Sequence, residues 1–319
     1  MNNIVAGIDI GGTNTEVGLV NAEGRVLERD RMKTRTYGTD FDAYLYDLAS
    51  MINNLVSKEA YQLVGVGIGA PNGNIHNGSI EFAPNLDWKG IVPFCDKLSK
   101  HFPEIPVKLT NDANAAALGE KLFGGGKGLS DFVTITLGTG VGSGFIVNNQ
   151  LMYGHDGMAG EVGHTVVDPN GRMCGCGRRG CLETYVSASG IVRTAAELLS
   201  IHKFKSKLAQ VPFAELESKT IAQFANEGDE VAQEVFEVTG RTLGMKLADI
   251  VATTSPHTIF LAGGVIKAGE LLLNPVRKYL EGNLLDVYKG KIKVERSGLP
   301  GIDSAILGAA ALIWSTLDK

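Results

Sequence analysis

The chain has 319 residues, with 30 Lys and Arg against 35 Asp and Glu for a net charge of −5. That length is about twice a usual domain, so two domains are expected, and 44% hydrophobic with 20% charged residues is enough to fill their cores. The acidic balance, without a basic run or arm, argues against nucleic acid as a partner. No apolar run reaches the ~18 residues of a membrane span, and the chain passes directly from Met1-Asn2-Asn3 into IVAGIDI without room for a leader. A soluble, cytoplasmic protein with no membrane partner is therefore expected.

The predicted elements alternate strand and helix. IVAGIDI, TEVGLVN and RVLERDRM (25–32) read as three consecutive strands, the last two joined by a turn at AEG. Residues 41–56 carry helical apolar spacing, and 63–69 and 107–110 read as buried strands. A helix over 113–123 stops at the GGGKG run. Strands follow in DFVTITL, GSGFIVN and QLMY, then helices at 187–199, 220–226 and 230–252. A strand at 257–264, a helix at 265–281, the strand KIKVE and a last helix at 303–317 complete the chain.

A weak internal repeat runs through this order. Gly12-Thr13 followed by Gly18-Leu19-Val20-Asn21 matches Gly138-Thr139 followed by Gly144-Phe145-Ile146-Val147-Asn148, at the same spacing. Each copy is a strand end, a glycine-rich turn and a returning strand. Glycine lets backbone N–H groups approach a phosphate closely; two ordinary hairpins would give the same pattern. No P-loop motif and no well-placed dinucleotide fingerprint is present.

Three of the four cysteines lie within eight positions, Cys174, Cys176 and Cys181; the fourth, Cys95, reads as an ordinary half-buried thiol. With His164 they give H-x9-C-x-C-x4-C, the ligand set of a closed Cys3His zinc site. Clustered thiols in a reducing compartment point to metal more than to disulfides. Four protein ligands leave no open position, so this zinc is expected to be structural, ordering its loop by ~10 kcal/mol or more. Glu161 precedes His164 by three residues and Glu183 follows Cys181 by two, so both are tethered to the metal. Singly they read as surface glutamates; together they fit a rigid acceptor set for hydroxyl groups. Asp112, after the strand VKLT, fits both a helix N-cap and a base at the carboxyl end of a parallel strand.

The motifs DIGGT (9–13), ND (111–112), LGTGVGSG (137–144), EVGH (161–164), CGCGRRGCLE (174–183) and AGGV (262–265) together resemble the ROK family of sugar kinases, above all its bacterial glucokinases. The resemblance implies an α/β fold of two ribonuclease-H-like, actin-like ATPase domains around a hinged cleft. Residues 1–115 with the C-terminal segment 303–319 would form the smaller domain, and 116–302 the larger one with the zinc loop. It implies ATP-dependent phosphorylation of the 6-hydroxyl of glucose, with Asp112 as general base. Gly69, Asn85, Asn111, Glu161, His164 and Glu183 would join Asp112 in holding the sugar, His164 using one nitrogen for zinc and the other for sugar. Asp9, Gly11, Gly12 and Thr13 would form a first phosphate loop, with Asp9 positioning Mg²⁺. Gly138 and Thr139 would form a second, and Gly263 and Gly264 would border the adenosine. ATP, Mg²⁺ and structural Zn²⁺ are the implied cofactors, and a homodimer or homotetramer the implied assembly.

Where the family often carries lysine after DIGGT this chain has Asn14, a change expected to weaken the hold on nucleotide without removing the chemistry. Kinases for N-acetylmannosamine, N-acetylglucosamine and fructose share nearly every motif, so the sugar is open among them, with glucose first. Sugar-responsive regulators of the family carry a DNA-binding segment ahead of the kinase-like part. DIGGT begins here at residue 9, so that reading is disfavoured.

Overall fold

The computed structural model describes residues 2–202, 206–299, 301 and 303–317; the ends of the expected 303–319 segment and parts of the expected 116–302 domain lie outside them. Contacts within the chain divide it into two compact units. Residues 1–130, 144–160 and 297–319 form unit one, and 131–143 with 161–296 form unit two.

The chain opens as a meander, β1 (Asn2–Ile10), β2 (Asn14–Val20) and β3 (Val26–Lys33), antiparallel throughout. Helix α1 (Phe41–Val56) follows, its first turn capped by Asp40, which accepts the Ala43 N–H. β4 (Tyr61–Ala70) then returns parallel to β1. Three short strands, β5 (Gly73–Asn74), β6 (Ser79–Glu81) and β7 (Ile91–Val92), make a small separate sheet before α2 (Phe94–Leu98). β8 (Val107–Asn111) pairs parallel with β4 and leads into α3 (Asp112–Leu122). β1 and β4 are buried for most of their length, which is why they read as continuous apolar runs rather than as alternating ones.

The pattern then restarts with β9 (Phe132–Leu137), β10 (Val141–Val147) and β11 (Gln150–Leu151). Helices α4 (Glu183–Val186), α5 (Ala188–His202), α6 (Ser218–Asn226) and α7 (Glu230–Thr254) precede β12 (Thr258–Ala262), which lies parallel to β9. After α8 (Glu270–Asn283), β13 (Lys293–Arg296) adds parallel to β12, and α9 (Ser304–Leu317) closes the chain. The two large sheets have the orders β3-β2-β1-β4-β8 and β11-β10-β9-β12-β13. Their positions correspond strand for strand, and this is the structural content of the weak sequence repeat.

In unit one α9 packs on a stripe of glycines. Gly7 pairs with Gly18 on one side and with Gly67 on the other. A Cβ at Gly67 would lie 2.0 Å from the Ala309 carbonyl, and one at Gly7 2.3 Å from that of Ile306. Helix and sheet therefore touch backbone to backbone. Ile306, Leu307, Ile313 and Trp314 bury their side chains with Val5 and Val20 on this face, while α1 covers the opposite face with Tyr44, Leu48 and Ile52.

Three expectations need correction. The helix placed over 265–281 is interrupted: a 3₁₀ turn, Gly264–Ala268, ends at Gly269 with φ of 68°, and α8 starts only at Glu270. A left-handed residue cannot continue a right-handed helix. The strand placed over 150–153 pairs only at Gln150 and Leu151. The domain boundary placed at 115/116 falls inside α3, which stays whole in unit one because Gly119 lets it approach Gly308 of α9.

Candidate functional site

In unit one the candidate residues gather at the carboxyl ends of three neighbouring strands. Asp9 of β1 pairs with Gly69 of β4, which pairs in turn with Thr110 of β8, one residue before Asn111. Gly69 has no side chain to separate this strand end from α3; a Cβ there would touch Ala115 and the Asp112 Cα. Asn111 caps α3, its Oδ1 accepting the Ala113 N–H at 2.9 Å. Asp112 Oδ1 accepts the same N–H at 2.8 Å, so capping is shared between the two side chains. Asp112 remains open to solvent, yet protein surrounds it closely, and that desolvation pushes its carboxyl above the ordinary range. Asp9 is pushed up to about 7, first by burial, then by the negative charges of Asp112 and Glu16. Among the described residues neither Asp9 nor Asp112 makes an ion pair.

The turn between β1 and β2 is closed by Gly11 N–H to the Asn14 carbonyl at 2.9 Å. Gly12 is required at its place, because a Cβ would sit 2.5 Å from the Asn85 carbonyl oxygen. The glycine turn and the PNLDW segment are thus in direct contact. Leu86 and Trp88 hold that segment in the core, Trp88 with its ring 4.6 Å from Tyr44 and 4.9 Å from Phe41, while Asn85 between them and solvent stays exposed. Thr13 and Asn14 are also exposed. Arg35 donates from Nε to the Gly12 carbonyl at 3.1 Å, which puts a cation beside the turn that the sequence reading did not find.

In unit two, His164, Cys174, Cys176 and Cys181 converge, their ligand atoms all within 4.8 Å of one another. His164 Nδ1 lies 3.7 Å from Cys174 Sγ, and Cys176 Sγ 3.6 Å from Cys181 Sγ. Metal–sulfur bonds of about 2.3 Å in a tetrahedron put sulfurs about 3.8 Å apart, so the cluster fits a four-coordinate metal. The Cys174 thiol is pushed up to about 12, mainly by burial; that of Cys176 is drawn down to about 6, mainly by the Arg178 N–H. Such a set releases protons as it binds metal. The loop is a tight hairpin: Met173 bridges Arg179, Val166 bridges Cys181, and Gly177 and Gly180 take φ of 88° and 72°. Its stem is fastened by Arg172. This guanidinium donates to the Thr184 and Gly190 carbonyls, to the Thr194 hydroxyl and to both oxygens of Glu197, and stacks on Tyr185. Sequence reading passed over Arg172, since nothing near it in the chain signals partners on a later helix.

The second glycine turn lies in the same unit. Gly138 N–H bonds the Gly140 carbonyl at 3.0 Å, and Gly263, with φ of 94°, comes close enough that a Cβ would lie 2.4 Å from the Leu137 carbonyl. Gly264 opens a cavity of about 480 Å³ between the 264–268 turn and α6, lined also by Lys219, Gln223, Asn226 and Lys267. Glu183 is the first residue of α4 and reaches back to the turn, its Oε2 accepting the Val141 N–H at 3.0 Å. Glu161 begins the short turn that ends at His164, whose N–H bonds the Glu161 carbonyl. The candidate residues therefore form two sets: Asp9, Gly11, Gly12, Thr13, Gly69, Asn85, Asn111 and Asp112 in unit one, and Gly138, Thr139, Glu161, His164, the three cysteines, Glu183, Gly263 and Gly264 in unit two.

The model of the ROK family matches residues 5–316, nearly the whole chain. The chain belongs to the ROK family. A glucokinase of Thermotoga maritima is 37% identical over 314 residues, covering 96% of each chain. The crystal structure of a ROK glucokinase from Streptomyces griseus in complex with glucose and AMPPNP superposes with a TM-score of 0.81 at 35% identity, covering 97% of this chain and 98% of that one. An N-acetylmannosamine kinase of Escherichia coli is 34% identical over 274 residues, covering 86% of this chain and 87% of its own. This ROK chain thus has the α/β fold expected from its motifs. No helix among its described residues is long and apolar enough to cross a membrane.

Proposed function

We propose that this protein is an ATP-dependent hexose kinase that transfers the γ-phosphate to the 6-hydroxyl of glucose. The observation that carries the reading is the placement of Asp9 and Asp112 at neighbouring strand ends of one sheet, with no ion pair to either among the described residues; both carboxyls are pushed up, first by burial. Asp9 would hold a divalent ion that offsets its charge, and Asp112 would take the proton of a substrate hydroxyl. Phosphoryl transfer needs little covalent chemistry from the protein; positioning and charge neutralisation carry it. The glycine turns at 11–13 and 138–139 offer N–H groups to the phosphates, and the cavity beside Gly264 accommodates adenosine. Gly69, Asn85 and Asn111 of unit one and Glu161, His164 and Glu183 of unit two would be the sugar's partners; His164 Nδ1 lies 3.7 Å from Cys174 Sγ, so Nδ1 would face the metal and Nε2 would be left for sugar. Mg²⁺ beside Asp9 would supply charge neutralisation to the phosphates. His164, Cys174, Cys176 and Cys181 would hold Zn²⁺ as a structural ion, because four protein ligands would leave no coordination position for substrate. A cytoplasmic location and a homodimer or homotetramer are part of the same proposal, supported by family membership.

The similarity to an N-acetylmannosamine kinase supports a second reading in which a 2-acetamido sugar is the acceptor. An assay of ADP release over glucose, mannose, fructose, N-acetylmannosamine and N-acetylglucosamine tests both. Glucose should give the highest kcat/KM; a preference for an acetamido sugar would transfer the conclusion to the second reading, and no ADP release with any sugar would sink both.

A further inference from the structure

Glu183 touches more than the metal loop. Its Oε2 accepts the Val141 N–H at 3.0 Å, at the point where the second glycine turn enters β10. Gly140 carries no side chain there, and a Cβ would stand 2.5 Å from the same oxygen. Two other segments dock on this turn. The Ala188 N–H, at the start of α5, bonds the Gly138 carbonyl at 2.8 Å, and Gly163 of the EVGH segment packs so that a Cβ would lie 2.2 Å from the Val141 carbonyl. Val141 is itself buried. The turn is thus held on both sides by the segments that carry His164 and Cys181.

We infer that Glu183 is a positioning residue for the second phosphate turn, so that an intact metal loop sets nucleotide affinity as well as sugar affinity. Only Leu182 separates Cys181 from Glu183 along the chain, so a metal held by Cys181 would fix where α4 begins. From there the carboxylate fixes the Val141 N–H, and with it the direction of the neighbouring N–H groups of the turn. Losing a charged acceptor from a buried N–H commonly shifts an equilibrium by about tenfold. The inference rests on the kinase reading, since it takes the turn to bind phosphate.

The test is calorimetric titration of AMPPNP with Mg²⁺ into zinc-loaded protein, without sugar, with zinc content measured for each variant. Glu183→Ala should raise the AMPPNP Kd about tenfold, and Glu183→Gln, which keeps a carbonyl oxygen for the Val141 N–H, should restore most of it. Gly140→Ala changes neither a metal ligand nor the identity of Glu183, and the φ of residue 140 is outside the left-handed region. Its Cβ displaces the carboxylate and should weaken AMPPNP to a similar extent, but should add nothing in the Glu183→Ala background. If Glu183→Ala loses zinc or fails to fold, Gly140→Ala and Glu183→Gln decide. Unchanged AMPPNP affinity in Gly140→Ala, or additive losses in the double variant, overturns the inference while leaving the kinase reading intact. No AMPPNP binding by the wild type overturns that reading and the inference with it.

Discussion

Asp112 has two uses, a cap for α3 and the proposed base for the substrate hydroxyl. The structure shows that Asn111 and Asp112 both take the Ala113 N–H, so α3 keeps a cap if Asp112 loses its charge. Asp112→Asn should therefore leave folding and glucose binding close to wild type while lowering kcat by about 10² to 10⁴; turnover within a few-fold of wild type would remove Asp112 from the role of base. Asp9 makes a pH prediction of definite sign. Its folded pKa of about 7 lies above the 3.8 of an ordinary aspartate. Folding therefore favours its protonated form, and that contribution to stability is fully present below about pH 4 and is lost as pH rises through 7. Asp9→Asn cannot lose it. Without Mg²⁺, its melting temperature should exceed wild type by several degrees at pH 8, at about 2–4 °C per kcal/mol, and by little at pH 4. A variant less stable than wild type at pH 8 would contradict the burial argument.

At the scale of elements, legibility followed how local the cause was. The metal quartet could be read because four ligands within eighteen positions carry their own spacing. The break at Gly269 was missed because the flanking apolar residues keep helical spacing and one residue's φ decides the outcome. The sheet of β5, β6 and β7 was missed because strands of two or three residues show no periodicity. Arg172 was missed because its partners lie up to 25 residues later, on α4 and α5. That clamp makes a prediction for the element it anchors. Arg172→Met should keep the stem apolar but strand the Thr184 and Gly190 carbonyls, costing about 1–3 kcal/mol. Zinc should then pass to a chromogenic chelator several-fold faster, and the glucose KM should rise more than kcat falls. A release rate equal to wild type would show that the metal alone orders the loop.

For the whole molecule, the correspondence of the two sheets was faintly legible in the glycine repeat, while the division into units was not. The chain leaves unit one at Ser130, re-enters it at Gly144 and returns at Ser297, and the glycine-rich runs at those points read equally well as ordinary turns. The glycines of AGIDI, EVGLV and GVGIG were read only as parts of strands. Their reason is distant: Gly7, Gly18 and Gly67 stand in register to admit α9, some 240 residues or more further along the chain. That placement separates the stability of the two units. Gly67→Ala would drive a Cβ into the Ala309 backbone carbonyl, which cannot swing aside as a side-chain tip can, and overpacking of this kind costs typically about 1–3 kcal/mol. The damage should be confined to unit one, since α9 and its sheet lie there and the Cys3His cluster does not. In urea, tryptophan fluorescence from Trp88 and Trp314, both in unit one, should report a transition at lower denaturant than wild type. Zinc retention, followed in the same samples, should keep its wild-type midpoint. If the zinc midpoint moved together with the fluorescence, the two units would be unfolding as one, and the glycine stripe would be holding the entire chain rather than half of it.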